Sequence, residues 1–288
     1  MSAVYRKELK SYFTNMTGYI AMALMLVMAG VLLKIVSLDG RYPFMEYILP
    51  SLSLVLLVSV PIVTMKSFAE ERHQKTDLLL YTLPIRTTDI VLGKYFAMLT
   101  VFAVPTAILM TYPVFLSLYG PVNLVASLLS ILAFYLLIAA MTAICMFMSS
   151  LTESQVIAAV LGVGALVLCY TSTLLAQTLP TTALASYIAF SALIAAIALI
   201  VYYFVKNYWV AFSVAALLEG GILIAYMIND SLFTGLFQKF VSAISIFDAM
   251  NYFINNQLFD VKAIVYYLSI SFLFCFFTVQ TVEKRRFS

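Results

Sequence analysis

Eight apolar runs, each long enough to cross a bilayer as a helix, leave little else in this sequence. They fall at about 18–37, 47–65, 95–118, 122–149, 154–177, 183–205, 208–228 and 261–281. A crossing helix needs about 20 mostly apolar residues. The breaks between runs are brief, such as Tyr119-Gly120-Pro121, Thr152-Glu153-Ser154 and Lys206-Asn207. Charged residues make up 10% of the chain and hydrophobic ones 64%. Soluble domains carry about 25% charged and about 45–50% apolar residues. Lipid is therefore the solvent this chain is built for. The expected fold is an all-α integral membrane protein, a single domain over 1–288 with about eight transmembrane helices. The pair at 183–228 has the shortest connections, and a re-entrant hairpin there would leave six spans. The run after Thr17 is too long for a signal-peptide core and no small-residue cleavage site follows it, so it reads as an uncleaved first span.

Lysine and arginine set the orientation. With the N-terminus in the cytoplasm, twelve of the sixteen lie inside and only Lys34, Arg41, Lys239 and Lys262 outside. Both termini and the segment 66–94 are then cytoplasmic, whether six or eight spans cross.

Two amphipathic stretches flank these runs. Residues 3–14 place Val4, Tyr5, Leu9, Tyr12 and Phe13 on one face and Arg6, Lys7, Lys10 and Ser11 on the other. That pattern fits a helix lying in the inner membrane interface. From about 232 to 248, Phe233, Leu236, Phe237, Phe240, Val241, Ile244 and Phe247 recur at helical spacing. This second helix belongs to the outer segment 229–260 and reads as a cap on the spans.

The polar segment 66–94 stands apart. Charges of both signs crowd there: Glu70, Glu71, Arg72, Lys75, Asp77, Arg86, Asp89 and Lys94. Residues 66–80 are expected to continue the second span as a helix, with Glu71 and Lys75 paired one turn apart. Pro84 ends it. Thr87, Thr88 and Asp89 are candidate N-caps of the third span. A simple linker needs only a few polar residues. This one is nearly thirty long and keeps Phe68 and the triplet Leu78-Leu79-Leu80, which suits a helix seated in a partner's groove.

Chemistry is sparse. Gly93-Lys94 is followed by Tyr95 and lacks the first glycine of a phosphate-binding loop. Such a chain is not expected to hydrolyse nucleotide, and no catalytic, cofactor-binding or metal site is expected. The single histidine, His73, argues against His-based metal clusters, and Cys145, Cys169 and Cys275 lie in apolar runs without metal or redox spacing. No basic stripe points to nucleic acid. Pro61, Pro105, Pro113, Gly162 and Gly164 sit inside spans as tolerated kinks or hinges. Glu219, beside Gly220-Gly221 in the seventh run, is the intramembrane polar candidate. A carboxylate at mid-span costs about 2.5–3.5 kcal/mol on the insertion scale. It serves either ion or substrate coupling in a wet cavity, or simply reaches water or a backbone donor.

The segment Pro61–Arg72 with Thr76, Leu79-Leu80, Thr82, Pro84 and Ile90-Val91-Leu92-Gly93-Lys94 resembles the permease subunits of type-2 ATP-binding-cassette transporters, closest to the gliding-motility-associated branch. Tyr5–Phe13, Asp260–Ser269 and Thr278–Phe287 carry the same resemblance, which covers roughly 1–160 and 236–288. It implies that 4–13 form an elbow helix and that the loop between spans two and three carries a cytoplasmic coupling helix. Phe68, Glu70, Glu71, Arg72, Thr76 and Leu79 are its implied ATPase-coupling members. Many relatives have glycine where Lys75 stands, and the pair 183–228 looks like an insertion.

The resemblance further implies a separate cytosolic ATP-binding subunit, which would hold ATP and magnesium. It implies a second permease copy or paralogue, membrane lipid around the pair, an extracellular accessory protein, and a bacterial plasma membrane. An exporter permease is the leading reading. An ion-coupled carrier and a membrane scaffold that recruits a cytosolic partner are the alternatives.

Overall fold

A computed structural model describes residues 1–40, 45–77, 85–118, 120–205, 207–250 and 261–287. Every regular element among them is helical. In chain order they are α1 (Ser2–Thr14), α2 (Met16–Leu32, running on as a π-helix Leu33–Asp39), α3 (Ile48–Thr64), α4 (Ala69–His73), α5 (Thr87–Leu109), α6 (Tyr112–Leu116), α7 (Leu124–Leu151), α8 (Gln155–Thr178), α9 (Ala183–Val205), α10 (Tyr208–Ile228), α11 (Leu236–Ala243) and α12 (Val261–Phe287).

Among the described residues, six helical stretches are long and apolar enough to cross a membrane: Met16–Asp39, Ile48–His73, Thr87–Leu116, Leu124–Leu151, Gln155–Thr178 and Val261–Arg286. With the pair Phe212–Ile228 and Asp230–Ala243, bent by 116°, taken as one span, the count among the described residues is seven. In the pair read at 183–228, α9 and α10 form two separate helices over Ala183–Val205 and Tyr208–Ile228.

The chain divides into two compact units, Met1–Tyr170 with Ile246–Ser288, and Thr171–Ser245. In the first, α7 is the central helix and packs against α3, α5 and α12. Leu52, Leu56, Met98, Phe102, Phe134, Ile138 and Met141 are fully buried there. Pro61 and Pro105 sit inside α3 and α5, and Pro113 lies in the first turn of α6. At Gly162 an added Cβ would meet Cys145 Sγ at 3.4 Å and Pro61 Cβ at 3.5 Å, so α8 passes close to both α7 and α3.

The second unit pairs α9 with α10 and lays α11 on α9. Phe190 meets Phe237 at 5.2 Å and Phe240 at 5.8 Å between ring centroids. The amphipathic helix expected over 232–248 is shorter. It starts only after a 3-10 turn at Asp230–Phe233 and after Gly235, whose φ of 67° interrupts the helix.

The helix expected over 66–80 is also broken. α3 stops at Thr64, turns through Met65–Phe68, and resumes as α4 for one turn and a half. Four of the carbonyls freed at that stop find side-chain donors. Val63 O accepts from Tyr12 OH at 3.2 Å, and Thr64 O from Ser67 Oγ at 2.8 Å. Met65 O accepts from Ser149 Oγ at 3.3 Å, and Ser67 O from Lys94 Nζ at 2.7 Å. The break is thus built in by residues from three other helices. Leu78–Leu80 and Pro84, expected to end the loop helix, lie outside the described residues.

The N-cap of α5 is Arg86, with extended backbone. Thr87, Thr88 and Asp89 fill the first turn instead of capping it, because the Thr87 hydroxyl is turned to Glu283 at 2.6 Å. Asp89 remains favourable there, facing the positive end of the helix dipole.

Candidate functional site

One end of the first unit carries the polar contacts that tie α1, the loop, α5, α7 and α12 together. Its centre is Lys94, one of the largest fully buried side chains at 1% exposure. An ammonium has three donors and no acceptor. Here they meet Glu8 Oε1 at 3.0 Å, Glu71 Oε2 at 2.9 Å and Ser67 O at 2.7 Å. Lys7 Nζ reaches the other Glu71 oxygen, Oε1, at 2.9 Å. Two lysines and two glutamates therefore form a neutral set. A buried charge is tolerated when it is paired and hydrogen-bonded in this way. The Phe68 ring lies 5.1 Å from Lys94 Nζ and adds a cation–π contact.

Neighbouring Gly93 explains how α1 comes near enough. A Cβ at that position would stand 3.1 Å from Val4 Cβ, so any side chain there would press α1 away from α5 by a few tenths of an ångström. Glu8 shares the buried face of α1 with Val4 and Tyr12, at steps of four residues. Sequence reading placed that face as apolar and passed over Glu8. A carboxylate at i+4 between two apolar residues was the available signal.

Arg72 is the second anchor. It is 5% exposed, and its Nη1 donates to Ser150 O near the C-terminal end of α7. A cation at a helix C-terminus meets both the free carbonyls and the dipole. The backbone N–H groups of Phe68 and Ala69 point at Ser149 Oγ, at 3.4 and 3.3 Å. Ser149 was missed in the sequence, being a single hydroxyl in an apolar run.

The third anchor is the last turn of α12. Arg285 Nη2 meets Glu153 Oε1 at 2.6 Å and its Nε lies 3.5 Å from Asp77 Oδ2. Arg286 Nη1 donates to Ile85 O at 3.1 Å. The Glu153 carboxyl is held below the usual carboxylate range, first by its hydrogen bond and charge contact with Arg285, then by the nearby Arg72 and Lys75 charges.

Of the sequence-derived coupling residues, Phe68, Glu71 and Arg72 turn inward. Glu70 is half-buried and accepts from Gln74 Nε2 at 3.3 Å. Thr76 is exposed with His73, Gln74 and Lys75. Leu79 lies outside the described residues. Between α1 and this segment opens a cleft of about 360 Å³, whose lining includes Ser11, Tyr12, Lys66, Glu70, Gln74 and Thr76.

Lys75 closes α4 with φ of 56°, in the left-handed region. Its N–H bonds Arg72 O at 3.1 Å, and Thr76 N–H bonds Glu71 O at 2.9 Å. These two bonds form a Schellman motif, which favours glycine at that position. The expected pairing of Glu71 with Lys75 is replaced by that of Glu71 with Lys94 and Lys7. Lys75→Gly is expected to stabilise the turn by about 1 kcal/mol. Slower amide exchange at Thr76 in the variant checks this, and faster exchange contradicts it.

Glu219 belongs to the second unit. Its Oε1 accepts from Tyr187 OH at 3.0 Å, and the Tyr187 ring packs on Tyr226 at 5.1 Å. Cys145, Cys169 and Cys275 are free thiols. Among the described residues no group of three or more His, Cys, Asp or Glu is placed to hold a metal ion.

The family model of the ABC-2 family transporter proteins matches residues 9–209, more than two thirds of the chain. The chain belongs to the ABC-2 transporter family. The matched range takes in part of α1, the whole loop, and α2 to α9. No curated protein and no solved structure matches it. As an ABC-2 member, the chain is a multi-pass membrane permease of an ABC transporter rather than its nucleotide-binding ATPase. Permeases of this family work in general with an ATP-binding subunit.

Proposed function

We propose that this chain is an exporter permease of the gliding-motility-associated branch, and that its 66–94 loop is the element a separate cytosolic ATPase grips. The observation that carries this reading is the loop's division of labour. Phe68, Glu71 and Arg72 are spent on contacts within the chain, to α1, α5 and α7. The neighbouring His73, Gln74, Lys75 and Thr76 are exposed. A loop fixed on one side and open on the other can transmit a push. A floppy linker would absorb it.

In this mechanism the ATPase seats on the exposed turn, with Glu70 and Thr76 at its edge, while Phe68, Glu71 and Arg72 carry the displacement into the bundle. Leu79 belongs to the same docking element. The partner's nucleotide states must bind the loop with different energies for the spans to switch. The permease acts as a pair, with a second copy or a paralogue. The N-terminal helix lies in the inner interface, and both termini and the loop face the cytoplasm of a bacterial cell. An extracellular accessory protein meets the 229–260 segment. In this reading Glu219 is held by Tyr187 as a polar post inside the inserted 183–228 pair.

Co-expression of the chain with the ATP-binding subunit encoded beside it tests the reading. The two are expected to purify together in detergent. Charge changes at the edge of the exposed turn, Glu70→Lys with Thr76→Arg, are expected to abolish co-purification while leaving the permease's melting temperature unchanged. Retention of the ATPase by that double variant at wild-type levels would remove the loop as the docking element.

A further inference from the structure

Beyond the loop itself, we propose that Arg285 is a positioning residue which joins the Thr152–Ser154 turn and the inner end of the 66–94 loop into one moving body. The proposal rests on the reading of that loop as the part an ATPase grips. Its geometric basis is one planar guanidinium shared by two carboxylates from distant parts of the chain. The fork places Nη2 on Glu153 at 2.6 Å and Nε toward Asp77 at 3.5 Å. A lysine, a single point charge, does not reproduce that two-sided contact.

The other residues of the same helical turn hold the far side of the loop. Glu283 accepts from Thr87 and Arg286 donates to Ile85 O. The end of α12 therefore touches the loop both where it leaves α4 and where it enters α5. Arg72, on the loop, reaches Ser150 just before the turn that Arg285 holds.

Burial argues that this contact serves position more than stability. The Glu153 side chain is 63% exposed and that of Arg285 is 38% exposed. Exposed ion pairs contribute little to folding. Asp77 differs: its side chain is 7% exposed, so its carboxylate needs a cation beside it. Arg285 is the cation that lies beside it among the described residues. Removing Arg285 thus frees Glu153 and leaves the Asp77 carboxylate without its cation, so two elements are loosened at once. A push on His73–Thr76 then no longer reaches the α7–α8 turn through this route.

Amide hydrogen exchange of the full chain in lipid nanodiscs reads this directly, without any ATPase. In Arg285→Gln, exchange is expected to rise about tenfold at 152–155, the effect of losing one charge-assisted hydrogen bond, and to rise at 74–77 as Asp77 loses its ion pair. Exchange across 52–60 in α3 is expected to stay unchanged. Glu153→Gln should loosen 152–155 alone, and Arg285→Lys should fall between wild type and Arg285→Gln. Unchanged exchange at both segments, or a rise spread evenly through the bundle, overturns the proposal. So does an Arg285→Lys variant indistinguishable from wild type. Co-purification of the wild-type chain with its ATPase is judged separately, so failure of the docking reading and failure of the Arg285 link are told apart.

Discussion

Lys94→Met is expected to destabilise the permease by about 3–5 kcal/mol, the usual consequence of removing one member of a buried ionic set. Methionine matches the length of the lysine stem and keeps the packing against Phe68, so the effect isolates the charge. What remains is unfavourable. The Glu8 and Glu71 side chains are 10% and 16% exposed and would face each other with only Lys7, itself 59% exposed, as counter-ion. Ser67 O loses its donor as well. Glu71→Gln alone should cost less, because Lys94 keeps Glu8 and the Ser67 carbonyl. Adding Glu8→Gln and Glu71→Gln to Lys94→Met should recover most of the loss, since two neutral amides no longer repel. Thermal melting in detergent orders these variants. A Lys94→Met protein that melts with wild type would mean that the charges do not hold α1 and the loop together.

The apolar runs were readable because the bilayer imposes one requirement on every span, namely length with apolar side chains. That requirement is local, and α2, α3, α5, α7, α8 and α12 follow it. The pair 183–228 follows it as well, as α9 and α10, whereas hydropathy does not register the bend of 116° between Phe212–Ile228 and Asp230–Ala243. The loop helix was expected too long for a different reason. Its break at Met65–Phe68 is set by Tyr12, Ser149 and Lys94, residues from three separate helices, and local propensity carries no trace of them.

The candidate site divides in the same way. Glu71 and Arg72 stood out by charge in a polar segment, and Lys94 by its motif. Their partners did not, because Glu8, Ser149, Glu153 and Arg285 matter only once α1, α7, the α7–α8 turn and α12 converge. The unusual residue at 75 was visible as a lysine in a place where the resemblance implies glycine. Only the backbone, with φ of 56°, supplies the reason.

Arg72→Glu is expected to separate the loop from α7 and abolish ATPase-driven transport, while the protein still inserts into the membrane. Insertion is decided by the apolar runs, which the substitution leaves intact. At the loop three effects combine. The bond to Ser150 O is lost, and a hydrogen bond from a charged group contributes about 1.5–3 kcal/mol. A carboxylate replaces a cation at a position 5% exposed, without a donor built to receive it. The new anion also faces the negative end of the α7 dipole and lies near the Glu153 charge. Arg72→Lys keeps the sign and a single donor, so it should retain part of the coupling. The measurement is nucleotide hydrolysis by the permease–ATPase complex in nanodiscs, with and without crude lipid extract. Wild type is expected to couple the two, whereas Arg72→Glu should leave hydrolysis insensitive to whatever the permease binds. Full coupling in Arg72→Glu would show that displacement reaches the spans by another route, and the inward-turned face of the loop would then be a structural plug rather than a lever.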